Sequence, residues 1–197
     1  MKDVLYLVSY CLLGRNCRYD GGNAEDGSVI KFLRGKRYIP LCPEELGGLS
    51  TPRIPCEIKD GRVINMNGCD ITEEFQLGAK KAFEKVKRFI EDNEKESTAP
   101  QLNTNDISVK RKICAIMKSK SPSCGKGTVY DGGFTGRLIC GNGVFTEYLQ
   151  RNVTKLGPNC QLEVLTEDEL KQRLSEDGVK ICTGGEDVEG QSISELN

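Results

Sequence analysis

Ten cysteines and no histidine define the chemistry open to this chain of 197 residues. Without imidazole, Ser-His and Cys-His nucleophile pairs and His-ligated metal sites are excluded, which leaves cysteine, carboxylate, lysine and hydroxyl groups. Cysteines in this number have three explanations: a disulfide framework, reactive thiols, or soft-metal ligands. Disulfide scaffolds belong mainly to short chains without a core, whereas 197 residues at 37% hydrophobic can bury one unaided. No Cys-x-x-Cys pair occurs, which argues against zinc knuckles and a thioredoxin-like motif.

The elements that must hold these residues follow from the apolar pattern. After Met1-Lys2-Asp3, the run from Val4 to Leu13 has the length of a short signal sequence but no small-x-small exit. It reads as a buried strand of α/β type, which places the protein in the reducing cytoplasm with its cysteines as thiols or ligands. No other apolar run approaches the ~20 residues that span a membrane. Basic and acidic residues number 28 and 29, so no chain-wide field recruits nucleic acid.

A glycine-marked loop (14–22) and a short helix from Ala24 to Leu33 come next. Arg37 to Cys42 is a second strand, placed at an edge by Pro40. Pro43-Glu44-Glu45-Leu46 has the proline and acidic residues of a helical first turn. The Asp60-Gly61 pair between short apolar runs predicts a hairpin. Phe75, Ala79, Ala82, Phe83, Val86, Phe89 and Ile90 repeat at helical spacing behind Asp70 or Thr72 as cap. A polar connector is expected over 94–106, a third strand over 112–118, a turn at 130–133 and a helix through Val144, Tyr148 and Leu149. A fourth strand over 162–165 precedes a capping box at 166–169. The alternation predicts a three-layer, Rossmann-like α/β domain over 1–182, with a mostly parallel sheet and a small β-hairpin insertion. An acidic polar tail is expected over 183–197.

On that frame Cys11 falls at the exit of the first strand, Cys42 at the exit of the second and Cys124 in the loop leaving the third. Ligands of such folds bind outside these strand ends, so three thiols from distant segments can meet at one mouth. Three thiolates without imidazole suit a sulfide-bridged iron cluster with one iron left open as a Lewis acid. A cysteine is also a common buried small hydrophobe. Cys114, Cys140, Cys160 and Cys182 are assigned that role, while Cys17, Cys56 and Cys69 lie in polar surroundings. Cys17, near Cys11 along the chain, is the strongest rival ligand.

The segments SYCLLGRNCRYDGG (9–22), PLCPEELGGLSTPRIPCEI (40–58), AIMKSKSPSCGKGTVYDGGFTG (115–136) and GNGVFTEYL (141–149) together resemble the bacterial thiouracil desulfidase family. Tyr10 departs from the small residue usual there, and the chain beyond about residue 155 carries little of the resemblance. The resemblance implies a [4Fe-4S] enzyme whose cluster is held by three cysteines, with the fourth iron capturing the sulfur of a thiolated uracil. By matching segment, the ligands are Cys11, Cys42 and Cys124. The implied reaction is hydrolytic, converting C=S to C=O with release of sulfide. Glu44 is the candidate acid/base. Ser121 and Ser123 are candidates to hydrogen-bond the substrate ring or the cluster sulfurs.

Asp20 and Asp131, in two Tyr-Asp-Gly-Gly turns, read first as turn formers. The run Lys110, Arg111, Lys112, Lys118, Lys120 and Lys126 would meet phosphate if the substrate were a thiolated nucleotide or tRNA. A free thiolated nucleobase is the favoured partner. Two other readings compete: a non-catalytic cysteine-rich α/β domain binding a metal or small molecule, and a Cys124 nucleophile activated by Lys118, Lys120 or a helix N-terminus.

Overall fold

Buried strands of this protein divide their side chains between two helical layers. In chain order the elements are β1 (Val4–Ser9), α1 (Gly27–Leu33), β2 (Tyr38–Leu41), α2 (Pro43–Leu46), β3 (Cys56–Lys59), β4 (Arg62–Asn65) and α3 (Thr72–Glu96). The second half adds β5 (Lys112–Met117), β6 (Thr128–Tyr130), β7 (Leu138–Cys140), α4 (Val144–Asn152), β8 (Gln161–Thr166) and α5 (Glu167–Glu176). The structure, a computed structural model, describes residues 4–96, 111–157 and 159–176. Most of the expected connector, the tail, Cys182 and Lys110 lie outside the described residues.

Four strands form a parallel sheet in the order β2-β1-β5-β8. On one face Leu5, Leu7, Ile113, Ala115 and Met117 pack with Ala79, Ala82, Phe83 and Val86 of α3 and Phe145 and Leu149 of α4. On the other, Val8, Cys114 and Ile116 meet Val29 and Leu33 of α1 and Leu170 of α5. The period-2 alternation of the strands and the 3.6-residue stripe of α3 are thus satisfied in one three-layer, Rossmann-like arrangement. Fully buried side chains such as Phe83 and Phe145 each contribute about 2–3 kcal/mol of transfer free energy. No helix among the described residues is long and apolar enough to cross a membrane.

The chain places β2 on one side of β1 and then crosses to add β5 on the other. The order therefore reverses beside β1, where the strand ends part to leave a crevice. The antiparallel β3-β4 hairpin turns at Asp60 and Gly61, whose φ values of 49° and 76° match a type I′ turn.

Two expectations need correction. The first strand does not continue to Leu13: it ends at Ser9, and Tyr10–Leu13 forms a 3-10 turn closed by Gly14 at φ 84°. At that end the Ser9 hydroxyl accepts from the Lys118 N–H at 2.9 Å, joining β1 to the chain just after β5. Residues 128–130 and 138–140, of which only a turn was expected, form the antiparallel ribbon β6-β7. Strands of three residues are too short for alternation to reveal. Pro40 does lie on an edge strand, and α3 runs through Glu96 into the expected connector.

α2 is seated on α3 by two glycines: a Cβ at Gly47 would lie 2.2 Å from the Glu74 carbonyl oxygen, and one at Gly78 would lie 2.0 Å from that of Pro43. Gly78→Ala gains helix propensity of about 1 kcal/mol but forces two backbones apart, an overpacking cost of about 1–3 kcal/mol. The expected outcome is a net loss of stability in urea denaturation, and a midpoint at or above that of the parent would refute the close approach.

Candidate active site

Cys11, Cys42 and Cys124, together with Cys17, line one cavity of about 680 Å³ at the carboxyl ends of β1, β2 and β5. Cys11 sits in the 3-10 turn after β1, where its carbonyl accepts from the N–H groups of Gly14 and Ala24. Cys42 is the N-cap position of α2. Cys124 is in the loop after β5, which is fastened to the start of α4. The N–H groups of Val144 and Phe145 donate to the carbonyls of Pro122 (2.9 Å) and Ser123 (2.8 Å). The Thr146 hydroxyl donates to the carbonyl of Cys124 at 2.7 Å. Gly143 permits this contact, since a Cβ there would lie 2.4 Å from the Ser123 carbonyl carbon.

Cys17 and Cys140 are corrections among the thiols. Expected in polar surroundings, Cys17 is only 2% exposed. Its thiol is pushed up to about 12, chiefly by the neighbouring Cys11 thiol, and the Cys42 thiol donates to its carbonyl at 3.8 Å. Its sulfur, that of Cys42 and a Glu45 oxygen lie within 4.8 Å of one another. The Cys42 thiol is raised by its bond with Cys17 and by burial, and that of Cys124 by burial first. Cys140, assigned to the interior, is exposed on β7, while Cys114 is buried in β5. The nine described cysteines are all free thiols.

These sulfurs fit a soft-metal cluster: the donors are thiols without competing imidazole, and the cavity is larger than one ion needs. Next to Cys124, the buried Ser123 hydroxyl has no hydrogen-bond partner among the described residues, which is unusual in a packed interior. Ser123 lies behind the cavity wall. Ser121 lines the cavity, and its hydroxyl accepts from the N–H groups of Ser123 (3.2 Å) and Cys124 (3.1 Å), shaping the turn that presents the thiol.

Glu44, on the first turn of α2, lines the same cavity and is nearly withdrawn from water. Burial raises its carboxyl above the ordinary range against the opposing charge of Arg53. Arg53 donates to Glu44 Oε2 from Nε at 2.7 Å, and its Nη2 pairs with the same oxygen at 2.7 Å. It also donates to the Cys17 carbonyl at 2.9 Å, the Ser50 carbonyl at 3.1 Å and Thr51 Oγ1 at 3.0 Å. One guanidinium therefore ties the Cys17 loop to α2.

The opposite wall carries Glu167, the first residue of α5, 4% exposed. It accepts from the Lys118 ammonium, the Ser119 N–H (2.7 Å) and the Ser119 hydroxyl (2.8 Å). Burial raises its carboxyl, but these donors outweigh burial and hold it below the ordinary range. Lys118 is thereby paired with Glu167, and burial raises the Cys124 thiol, the opposite of what activates a nucleophile. Most of the described basic run is also engaged: Lys112 with Glu163, Lys126 with Glu169 and Arg111 with the Leu156 carbonyl. Asp20 and Asp131 each accept an N–H two residues on, from Gly22 and Gly133, as turn formers do.

A family model described as 2-thiouracil desulfurase matches residues 6–159. The uncharacterized protein YbbK of Bacillus subtilis (strain 168) is 34% identical, over 75% of this chain and 90% of its own length. The solved structure of a [4Fe-4S]-dependent thiouracil desulfidase, TudS, superposes with a TM-score of 0.62 at 30% identity, covering 88% of this chain and 97% of that one.

Removing the guanidinium of Arg53 leaves a buried carboxylate unpaired, so Arg53→Ala is expected to cost about 3–5 kcal/mol in urea denaturation, with Arg53→Lys in between. A loss below about 1 kcal/mol would refute the clamp. Because Glu167 titrates lower when folded than its ordinary value of about 4.3, its contribution is complete above that pH and lost as pH falls through the folded value. Glu167→Gln should therefore flatten stability against pH below about 4.5, and an acid limb of unchanged slope would refute the assignment.

Proposed function

The chain belongs to the 2-thiouracil desulfurase family, and on that premise we propose that it removes sulfur from a thiolated uracil, converting C=S to C=O and releasing sulfide. The observation that carries this reading is the meeting of three strand-end thiols and the Glu44 carboxylate in one cavity. Cys11, Cys42 and Cys124 are the proposed cluster ligands. A [4Fe-4S] cluster held by three cysteines supplies, when bound, a soft Lewis acid for the thiocarbonyl sulfur at its open iron.

The protein's own residues supply the rest. Water adds to the ring carbon while Glu44 takes one of its protons; the C–S bond breaks as Glu44 returns that proton to the departing sulfur and the new hydroxyl gives up its own, so that thiouracil and water give uracil and hydrogen sulfide without net oxidation. Burial suits Glu44 to this exchange by raising its carboxyl toward neutrality, and Arg53 holds its Oε2 in place. Ser121, which lines the cavity, is the proposed hydrogen-bond partner of the ring. Free thiolated nucleobase in a reducing cytoplasm is the proposed substrate and setting.

A second reading has its own support. The closeness of the Cys17 and Cys42 sulfurs to a Glu45 oxygen also suits one thiophilic ion such as zinc, in a binding domain without this catalysis.

Anaerobic reconstitution with iron and sulfide, followed by absorbance and sulfide release from 2- and 4-thiouracil, separates the two. The expected result is a brown protein that releases sulfide and loses cluster absorbance in Cys11→Ala, Cys42→Ala and Cys124→Ala. Glu44→Gln should keep the absorbance and lose roughly 100-fold or more in kcat. A colourless protein that takes up zinc and releases no sulfide would overturn the desulfidase reading.

A further inference from the structure

The loop joining β6 to β7 holds a strained aromatic residue against the cavity. Phe134 has φ 54°, a left-handed conformation that a bulky side chain adopts only where its surroundings impose it. What imposes it is Glu57 of β3, 9% exposed, whose Oε2 accepts from the N–H groups of both Gly132 (3.0 Å) and Phe134 (2.9 Å). The seat is close: Gly132 has φ 83°, and a Cβ there would lie 2.4 Å from the Lys59 side chain. A buried carboxylate on the hairpin thus fixes the loop backbone at two donors. Phe134 lines the cavity that contains the thiols and Glu44, beside Tyr130 of β6.

This arrangement assigns a task that the sulfurs, Glu44 and Ser121 leave unfilled. Those groups address the edge and the thiocarbonyl of a planar heterocycle, and none of them covers its face. We propose that the Phe134 ring is the stacking wall for the face of the thiolated pyrimidine, and that Glu57 is the positioning residue that holds it there. The proposal rests on the desulfidase reading above and adds to it a determinant of substrate orientation. Base–aromatic stacking is a sizeable share of binding for so small a ring, and removing it weakens binding by roughly 10- to 100-fold.

The test uses cluster-loaded protein, with 4-thiouracil as substrate and uracil as an unreactive competitor. Phe134→Ala and Phe134→Leu are expected to raise the KM for 4-thiouracil and the inhibition constant of uracil together by roughly 10-fold or more, at parental cluster absorbance and melting temperature. Phe134→Tyr should restore both constants. Glu57→Ala should raise them in part, and Glu57→Gln, which keeps an acceptor oxygen, should raise them less. The leucine variant keeps bulk without a π-face, so it carries the test if the alanine variant fails to fold. Constants within twofold of the parent in Phe134→Leu would overturn the stacking role while the parent's sulfide release stands. A parent that neither releases sulfide nor is inhibited by uracil would overturn the desulfidase reading, and this proposal with it.

Discussion

A guanidinium and a carboxylate, both withdrawn from water, bind the two halves of the mouth to each other. Arg53 reaches Glu44 on α2 and the carbonyl of Cys17 in the loop after β1, so segments more than 25 residues apart share one set of charge-assisted hydrogen bonds. Burying such a pair is costly, and its value lies in what it forbids: neither partner can move without stranding the other in a poorly solvated site. The Cys42 thiol inherits that fixity, because it donates to the same Cys17 carbonyl that Arg53 holds.

Each remaining wall is fixed by a comparable local device. The Cys124 loop is fastened by N–H groups of α4 and by the Thr146 hydroxyl. Glu167 gathers Lys118 and Ser119 at the end of β5, and Ser9 bridges β1 to the same strand end. Glycines at 47, 78 and 143 let backbones approach to distances that any side chain would prevent. The cavity is assembled by polar contacts and close backbones at the strand ends, while the apolar layers on both faces of the sheet carry the stability.

Much of this was legible in residue order. The strand-exit positions of Cys11, Cys42 and Cys124 follow from parallel topology alone, and the stripe from Phe75 to Ile90 announces its helix. Cys17 was misread because its neighbours Asn16 and Arg18 are polar, whereas the fold closes over it through contacts made far along the chain. Cys140 was misread the opposite way, because an apolar triplet on a two-stranded ribbon can face solvent. Arg53 and Glu57 stayed silent because their meaning is tertiary: an isolated charge in sequence says nothing of the carbonyl or N–H groups it will meet.

The edge strand β2 carries a consequence of another kind. An open parallel sheet exposes two rows of backbone groups on which a foreign strand can grow, and aggregation begins at such borders. Here one border is a four-residue strand interrupted by Pro40, which lacks a donor. The other, β8, carries Glu163, paired with Lys112 and Arg173, charged side chains that an incoming strand would have to accommodate. Among the described residues, both borders of the four-stranded sheet thus carry features that oppose its lengthening, which matters in a protein rich in free thiols, where copies lined up along such a border could then cross-link.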